Sequence, residues 1–364
     1  MRILYGVVGE GMGHAMRSRV VLEHLLTQGH EVEIMASSRA AQFLRRHFGE
    51  RAWVHRIHGM HIDYRENRVR RSATLWTNLV EGSLALPRQL AAYFELLAEF
   101  HPEVVISDFD SFTYLYARLL RLPIISIDNM QVINRCTLAP EAIGNQRLDF
   151  EVTRAFVKSK LPFCDHYYIS TFFSAPIRRP RTTLVPPILR PEVLRAAPRR
   201  GDHWLVYQTA EGHGALLDAL HVLGVECRIY GMRRGLTEEA VEKNLRFRPF
   251  DEGVFVEDLA SARAVIAGGG FTLLGEAIYL RKPVLAVPVQ GQFEQFVNAR
   301  YVQKLGYGRC AVSLGDPATL REFQEALSGC EEQLASYQQD GNRALLDALD
   351  ARLVAIAGAP PERG

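Results

Sequence analysis

The chain has 364 residues, 48% hydrophobic and 23% charged, with a formal net charge of only +2. Such values belong to a folded globular protein; they exclude a low-complexity or disordered chain, and the near-neutral balance argues against nucleic acid as a partner. No apolar run approaches membrane-spanning length, and the length exceeds what one core usually supports, so two domains of about 150 to 190 residues are expected. Cys136, Cys164, Cys227, Cys310 and Cys330 are scattered without CxxC spacing, which fits a reducing cytoplasm and excludes a zinc or disulfide framework.

The chain opens as β-loop-α-β. Ile3 to Val8 is a short apolar strand, Gly9 to His14 (GEGMGH) a glycine loop, Arg17 to Leu26 a helix by its apolar spacing, and Glu31 to Met35 a second strand. The loop reads GxGxGH rather than GxGxxG, and Ser37-Ser38 stand where a dinucleotide fold places its acidic ribose ligand, so NAD is not expected. His14 closes this loop at the top of the first strand, where an imidazole can take a proton from a hydroxyl near neutral pH; the alternative is a residue that caps the next helix. Arg39, Arg45, Arg46, Arg51, Arg65, Arg68, Arg70 and Arg71 follow, interleaved with histidines and Trp53. This 39–71 region suits anionic lipid headgroups or a phosphorylated acceptor, or simply solvates a loop and helix surface. His55, His58 and His61 have no companion ligands and read as loop residues. PEVVISDFDSF, Pro102 to Phe112, is a strand ending in Asp108, whose carboxylate can bond the His14 imidazole and fix its tautomer; Asp110 is a weaker rival.

From Ser174 to Arg200 six prolines and many arginines leave no room for long regular elements, and 181–203 is assigned as an interdomain linker. Strand-and-helix alternation then restarts with HWLVYQTAEG, a helix from His213 to Leu223 and the strand VECRIYG, which predicts a second Rossmann-like domain over 204–342 facing the first, 1–180. Gln208 and Thr209 at the end of its first strand are candidate phosphate or sugar contacts. Arg343 to Ala357 is an amphipathic terminal helix, and 359–364 a frayed end of the 343–364 tail.

The most informative stretch is AGGGFTLLGEAIYLRKPVLAVPVQGQFEQFVNA, Ala267 to Ala299. Gly268, Gly269 and Gly270 allow close approach of backbone to ligand, and a helix beginning near Phe271 aims its first N–H groups and positive dipole end at an anion. Thr272 adds a hydroxyl, and Glu276, one turn on, can accept from a ribose. Gln290, Gln292, Glu294 and Gln295 lie beyond Pro288, where a strand should end. In an open parallel sheet both clusters face one crevice, so a nucleoside diphosphate carrying a hydroxylated sugar is the ligand these residues suit.

GGGFTLLGEA followed by PVQGQFEQFVNA, together with the amino-terminal GEGMGH, resembles the GT-B glycosyltransferases, the UDP-glycosyltransferase and MurG-like group, and is most similar to bacterial and archaeal UDP-glucuronosyltransferase-like proteins. The resemblance implies an inverting, metal-independent hexosyltransferase that uses a UDP-sugar and no further cofactor. It implies His14 as base with Asp108 as its partner. Donor contacts fall to Gln208, Thr209, Phe255, Val256, Gly269, Gly270, Phe271, Thr272, Glu276, Gln292, Glu294 and Gln295, and acceptor contacts to Gly11, Met12, Gly13 and Asp128. It implies that the terminal helix returns to brace the first domain. A departure is Gly268, where plant-type relatives place a histidine. A GT-B isomerase of the UDP-sugar 2-epimerase type and a non-catalytic nucleotide-sugar-binding subunit are the alternatives. The expected protein is cytoplasmic, a monomer or homodimer, able to lie against the inner face of a membrane through 39–71.

Overall fold

The computed structural model describes residues 1–9, 11–57, 64–65, 68–69, 94–95, 97, 99–208, 214–233, 235–313 and 316–358. Thr209, His58, His61, Arg70, Arg71 and the tail after 358, all singled out in the sequence, lie outside them.

Two seven-stranded sheets carry the fold. The first runs through β1 (Arg2–Val7), β2 (Glu31–Ser37), β3 (Trp53–Ile57), β6 (Val104–Asp108), β7 (Ile124–Asp128), β8 (His166–Ser170) and β9 (Thr182–Val185), in the spatial order β3-β2-β1-β6-β7-β8-β9. All its pairings are parallel. Every residue of VVISD in β6 and of IISID in β7 is buried, as strands covered on both faces require. A separate two-stranded piece, β4 (Tyr64–Arg65) and β5 (Arg68–Val69), lies between β3 and β6 in the chain.

The second sheet comprises β10 (Trp204–Tyr207), β11 (Cys227–Tyr230), β12 (Ala240–Glu242), β13 (Leu245–Phe247), β14 (Ala264–Ala267), β15 (Val284–Ala286) and β16 (Gly308–Cys310), ordered β12-β13-β11-β10-β14-β15-β16. It is parallel except for β12, an edge strand antiparallel to β13. The strand order reverses between β1 and β6 in the first sheet and between β10 and β14 in the second, and ligands of open parallel sheets bind at such reversals. Both candidate clusters therefore stand at switch points.

The closing helix, Arg343–Ala357, buries Leu345, Leu349 and Leu353 in the core around β1 and β2 rather than against its own domain. Tyr168 donates to the Ala348 carbonyl at 2.8 Å, and His24 meets Asp350 at 2.8 Å. Among the described residues, no helix is long and apolar enough to cross a membrane.

The proline-rich stretch differs from expectation. Thr182–Val185 forms β9, paired in parallel with β8, and Pro191–Arg195 is a short helix. The first sheet thus extends into the segment assigned as linker. The run Thr182-Thr183-Leu184-Val185, three of whose four residues are β-branched, lies between two prolines and is an edge-strand signal that overrides the composition around it.

Candidate active site

His14 lies inside the first turn of a helix, not on the preceding loop. The helix spans Met12–Thr27, with Gly11 at φ 88° as its N-cap, a conformation that glycine adopts without penalty. The end of β1 lies beside the end of β6, Val7 opposite Asp108, so the helix that follows β1 reaches over the carboxylate. His14 Nδ1 is 2.8 Å from Asp108 Oδ1, as the sequence predicts.

The sequence reading missed Arg17. One turn beyond His14 and 3% exposed, it donates from Nε to Asp108 Oδ2 at 2.8 Å and from Nη2 to Asp108 Oδ1 at 2.5 Å. Ser18 Oγ donates to Oδ2 at 2.9 Å. Burial alone would raise the Asp108 carboxyl, but Arg17 and His14 outweigh it and hold the group at about 2, so Asp108 stays ionised. The spacing H-x-x-R-S, which puts all three side chains on one helical face, was the available signal.

Arg17 Nη2 also approaches His14 Nδ1 to 2.6 Å. A guanidinium only donates, so Nδ1 either carries the proton and bonds Asp108 or is bare and accepts from Arg17. Only the first tautomer leaves Nε2 bare, free to take a proton.

At the second switch point Gly268–Gly270 lead from β14 into the helix Phe271–Tyr279. A Cβ on Gly269 would come within 2.2 Å of the Gln295 carbonyl oxygen, whereas one on Gly270 would meet nothing within 4 Å. Gly269 is therefore needed for packing against the helix Phe293–Lys304, whereas Gly270 faces open space. Gln295 Oε1 accepts from the N–H groups of Gly269 at 3.2 Å and Val289 at 3.1 Å, and its amide donates to Gln292 Oε1. Gln295 thus braces the loop from within.

Glu276 is 2% exposed and both its oxygens are bound by Arg190, at 2.7 Å from Nε and 3.0 Å from Nη2. Burial pushes this carboxyl up and Arg190 opposes it. Arg190 Nη1 reaches Glu252 at 2.9 Å, and Glu252 in turn meets Arg19 of the first domain at 3.2 Å. The sequence did not single out Arg190.

The two domains touch at the site itself. Thr272 Oγ1 donates to the Gly13 carbonyl at 3.2 Å, and the Phe172 and Phe271 rings stack with centroids 5.9 Å apart. Asn129 donates to Glu294 Oε1 at 2.6 Å. Of the expected acceptor contacts in the first glycine loop, Gly13 stands at this junction, whereas Met12 packs against the core around β1 and β2; Gln208 follows β10 directly and is 6% exposed. Among the described residues, no three His, Cys, Asp or Glu side chains gather to hold a metal ion.

Three expected contacts are instead internal. Asp128 is fully buried, accepting from Ser126 Oγ at 2.6 Å and Gln131 N–H at 2.8 Å, so it holds its own turn rather than facing an acceptor. Its burial raises the carboxyl to about 6. Phe255 and Val256 are 3% and 4% exposed. Asp251 caps their helix, Glu252–Ser261, and sets its phase so that Phe255 packs edge-on against Tyr207 and Tyr230 in the core, not toward a donor.

Two Rossmann-like domains, with a histidine–carboxylate pair facing a glycine-turn helix across their junction, define a GT-B glycosyltransferase. The chain matches glycosyl transferase family 1 over residues 1–328 and belongs to that family. It is 26% identical over 339 residues to an uncharacterized glycosyltransferase of Methanosarcina acetivorans, covering 85% of each chain. A second, from Methanosarcina mazei, is 24% identical over 388 residues, covering 96% of this chain and 98% of the other. The fold is similar to the calicheamicin glycosyltransferase CalG4 (TM-score 0.66, 18% identity, 99% of each chain). It is also similar to Arabidopsis thaliana UGT89C1 complexed with UDP (TM-score 0.65, 15% identity, 97% of this chain and 99% of that one).

Proposed function

We propose that this glycosyltransferase is inverting and metal-independent, and moves a hexose-type sugar from a UDP-sugar to a hydroxyl of a small-molecule or lipid acceptor. The observation that carries the reading is the position of His14 and Asp108 at one switch point directly across from the Gly268–Thr272 turn at the other, with Thr272 bonded to Gly13. A base on one side of the anomeric carbon and the diphosphate on the other is the arrangement for in-line displacement, which inverts the centre. His14 Nε2 would take the acceptor proton while Asp108 stabilises the resulting imidazolium. The N-terminus of the Phe271–Tyr279 helix would offset the charge on the leaving diphosphate, the work a divalent metal does in other folds. Thr272 would exchange the Gly13 carbonyl for a phosphate oxygen, and Glu276 and Glu294 would meet ribose and sugar hydroxyls. The UDP found in one structural relative supports the base, while thymidine diphosphate in the spinosyn rhamnosyltransferase SpnG is the competing choice.

We place the protein in the cytoplasm, where its five free thiols fit a reducing compartment. The exposed Arg39, Arg45, Arg46 and Arg51, with Trp53 75% exposed nearby, support contact with an anionic membrane face. A thermal-shift panel of UDP-, dTDP- and GDP-sugars tests the donor: a ligand at a hundred times its dissociation constant stabilises by about 2.7 kcal/mol. Stabilisation by UDP-sugars alone, with a product of inverted anomeric configuration, is expected. Preference for another base, or a retained configuration, overturns the corresponding part.

A further inference from the structure

A buried polar chain joins the base to the donor loop. Asp108 accepts four hydrogen bonds, from His14 Nδ1, Arg17 Nε, Arg17 Nη2 and Ser18 Oγ, which fill the four lone-pair sites of a carboxylate and fix its orientation. The remaining arm of the Arg17 fork, Nη1, donates to Asn129 Oδ1 at 2.5 Å. Asn129, 4% exposed just past β7, donates from its other amide atom to Glu294 Oε1 at 2.6 Å. With a cation on one side and a carboxylate on the other, only one of the two amide orientations satisfies both. Glu294 Oε1 accepts as well from Asn298 Nδ2 at 3.2 Å, and Asn298 Nδ2 lies 3.0 Å from the Gly269 carbonyl. The chain crosses between domains at a single bond, Asn129 to Glu294.

We propose that Arg17 and Asn129 are positioning residues through which closure of the donor loop sets the tautomer of His14. The proposal rests on His14 being the base, as argued above. Arg17 has two acceptors in reach, Asp108 and His14 Nδ1, and a donation to Nδ1 locks the imidazole with its proton on Nε2, where it cannot act as a base. Asn129 holds Nη1 and keeps the fork on Asp108. Glu294 anchors the far end of that amide. Opening of the domains removes the anchor, lets the Asn129 side chain swing away from Nη1, and releases Arg17 toward Nδ1, so the base is armed only when the donor loop is closed over it.

The test is a double-mutant cycle on the crossing bond. Asn129→Asp keeps an acceptor for Arg17 but sets a carboxylate against Glu294; Glu294→Gln restores a bond there with donor and acceptor exchanged. Turnover is read as UDP release from the sugar nucleotide that stabilises the protein most in the panel, and UDP affinity by calorimetry. We expect Asn129→Asp to lower kcat about 10-fold or more at unchanged UDP affinity, with a lowered melting temperature because two carboxylates then meet in a buried contact, and both losses to shrink in the Glu294→Gln background, that in kcat about 10-fold, a coupling typical of contacting residues. In ¹⁵N-histidine spectra of the UDP-bound protein, Asn129→Leu, which leaves Arg17 Nη1 without its acceptor, should move His14 from the Nδ1–H toward the Nε2–H tautomer, and that shift should be lost in the Arg17→Lys background, where no fork remains to donate to Nδ1. Additive losses, or an unchanged tautomer, overturn the proposal. A fully active His14→Ala enzyme would instead overturn the reading of His14 as base, so the two failures are distinct.

Discussion

Glu276→Ala separates two roles that the structure superimposes on one carboxylate. The substitution leaves Arg190 Nε and Nη2, inside a side chain 2% exposed, without their acceptors, while Nη1 keeps Glu252. Orphaning one partner of a buried pair costs about 3–5 kcal/mol, and the surviving Glu252 contact puts this case near the lower end, about 3 kcal/mol. For a domain of this size that is a melting temperature lowered by roughly 6–12 °C. If Glu276 also bonds a ribose, UDP affinity falls by a further 1.5–3 kcal/mol or so, about 10- to 150-fold. The double variant Arg190→Met/Glu276→Leu removes both charges and keeps the volume, so it should regain most of the stability, as apolar replacements of buried pairs do, without regaining UDP. Glu252 keeps Arg19 as its partner in that variant. Thermal unfolding and UDP calorimetry on the two variants read the roles independently. If the double variant recovers both quantities, Glu276 does not touch the ribose; if the single variant melts like wild type, the buried pair is not what holds this helix to the segment after β9.

Three further outcomes are expected. His14→Ala should lower kcat by about 10²–10⁴ with a hydroxyl acceptor while UDP still binds as in wild type, and near-normal transfer would place the base elsewhere. Turnover should survive EDTA, whereas an activity lost to chelation and restored by magnesium or manganese would refute diphosphate stabilisation by the glycine turn and its helix. Burial raises the Asp128 carboxyl to about 6, so the folded state keeps a proton that the unfolded chain releases near pH 4; the contribution is fully present below that pH and lost as pH rises through about 6. That loss is on the order of 3 kcal/mol, and Asp128→Asn should remove it, so a stability difference between wild type and variant that is constant from pH 4 to 7 would contradict it.

The parts of the site carried by local pattern were legible. Glycine turns between an apolar strand and an apolar-periodic helix locate strand ends, and strand ends at a reversal in order locate the cleft. His14, Asp108 and Thr272 follow from that alone. Which neighbour a glycine serves does not, because the same absence of Cβ stands beside open space at Gly270 and against the Gln295 backbone at Gly269. Asp128 and Phe255 stand at strand and helix ends just as convincingly. Their side chains point inward because of a cap or a turn that pattern reading cannot phase to within one residue.

The missing half of the site is cationic, and the reason is sequence distance. Arg17 is 91 residues from Asp108, and Arg190 is 86 from Glu276, so no window shows either pair. An acid inside LLGEAIY, on the apolar helix Phe271–Tyr279, nonetheless requires a buried partner, since an uncompensated carboxylate would not stay ionised there. That requirement points to a cation without saying which. Between Arg178 and Arg200 the chain offers many arginines, and only Arg190 is 2% exposed, set just after the buried run Pro187-Ile188-Leu189, while Arg178, Arg181, Arg195, Arg199 and Arg200 face solvent. What distinguishes it is the apolar residues before it, which draw that one turn of chain into the junction. Composition read the segment as a spacer. Arg190 instead holds Glu276 and Glu252 of the second domain, and Glu252 reaches Arg19 on the helix after β1, so this segment ties the two domains together through a buried guanidinium.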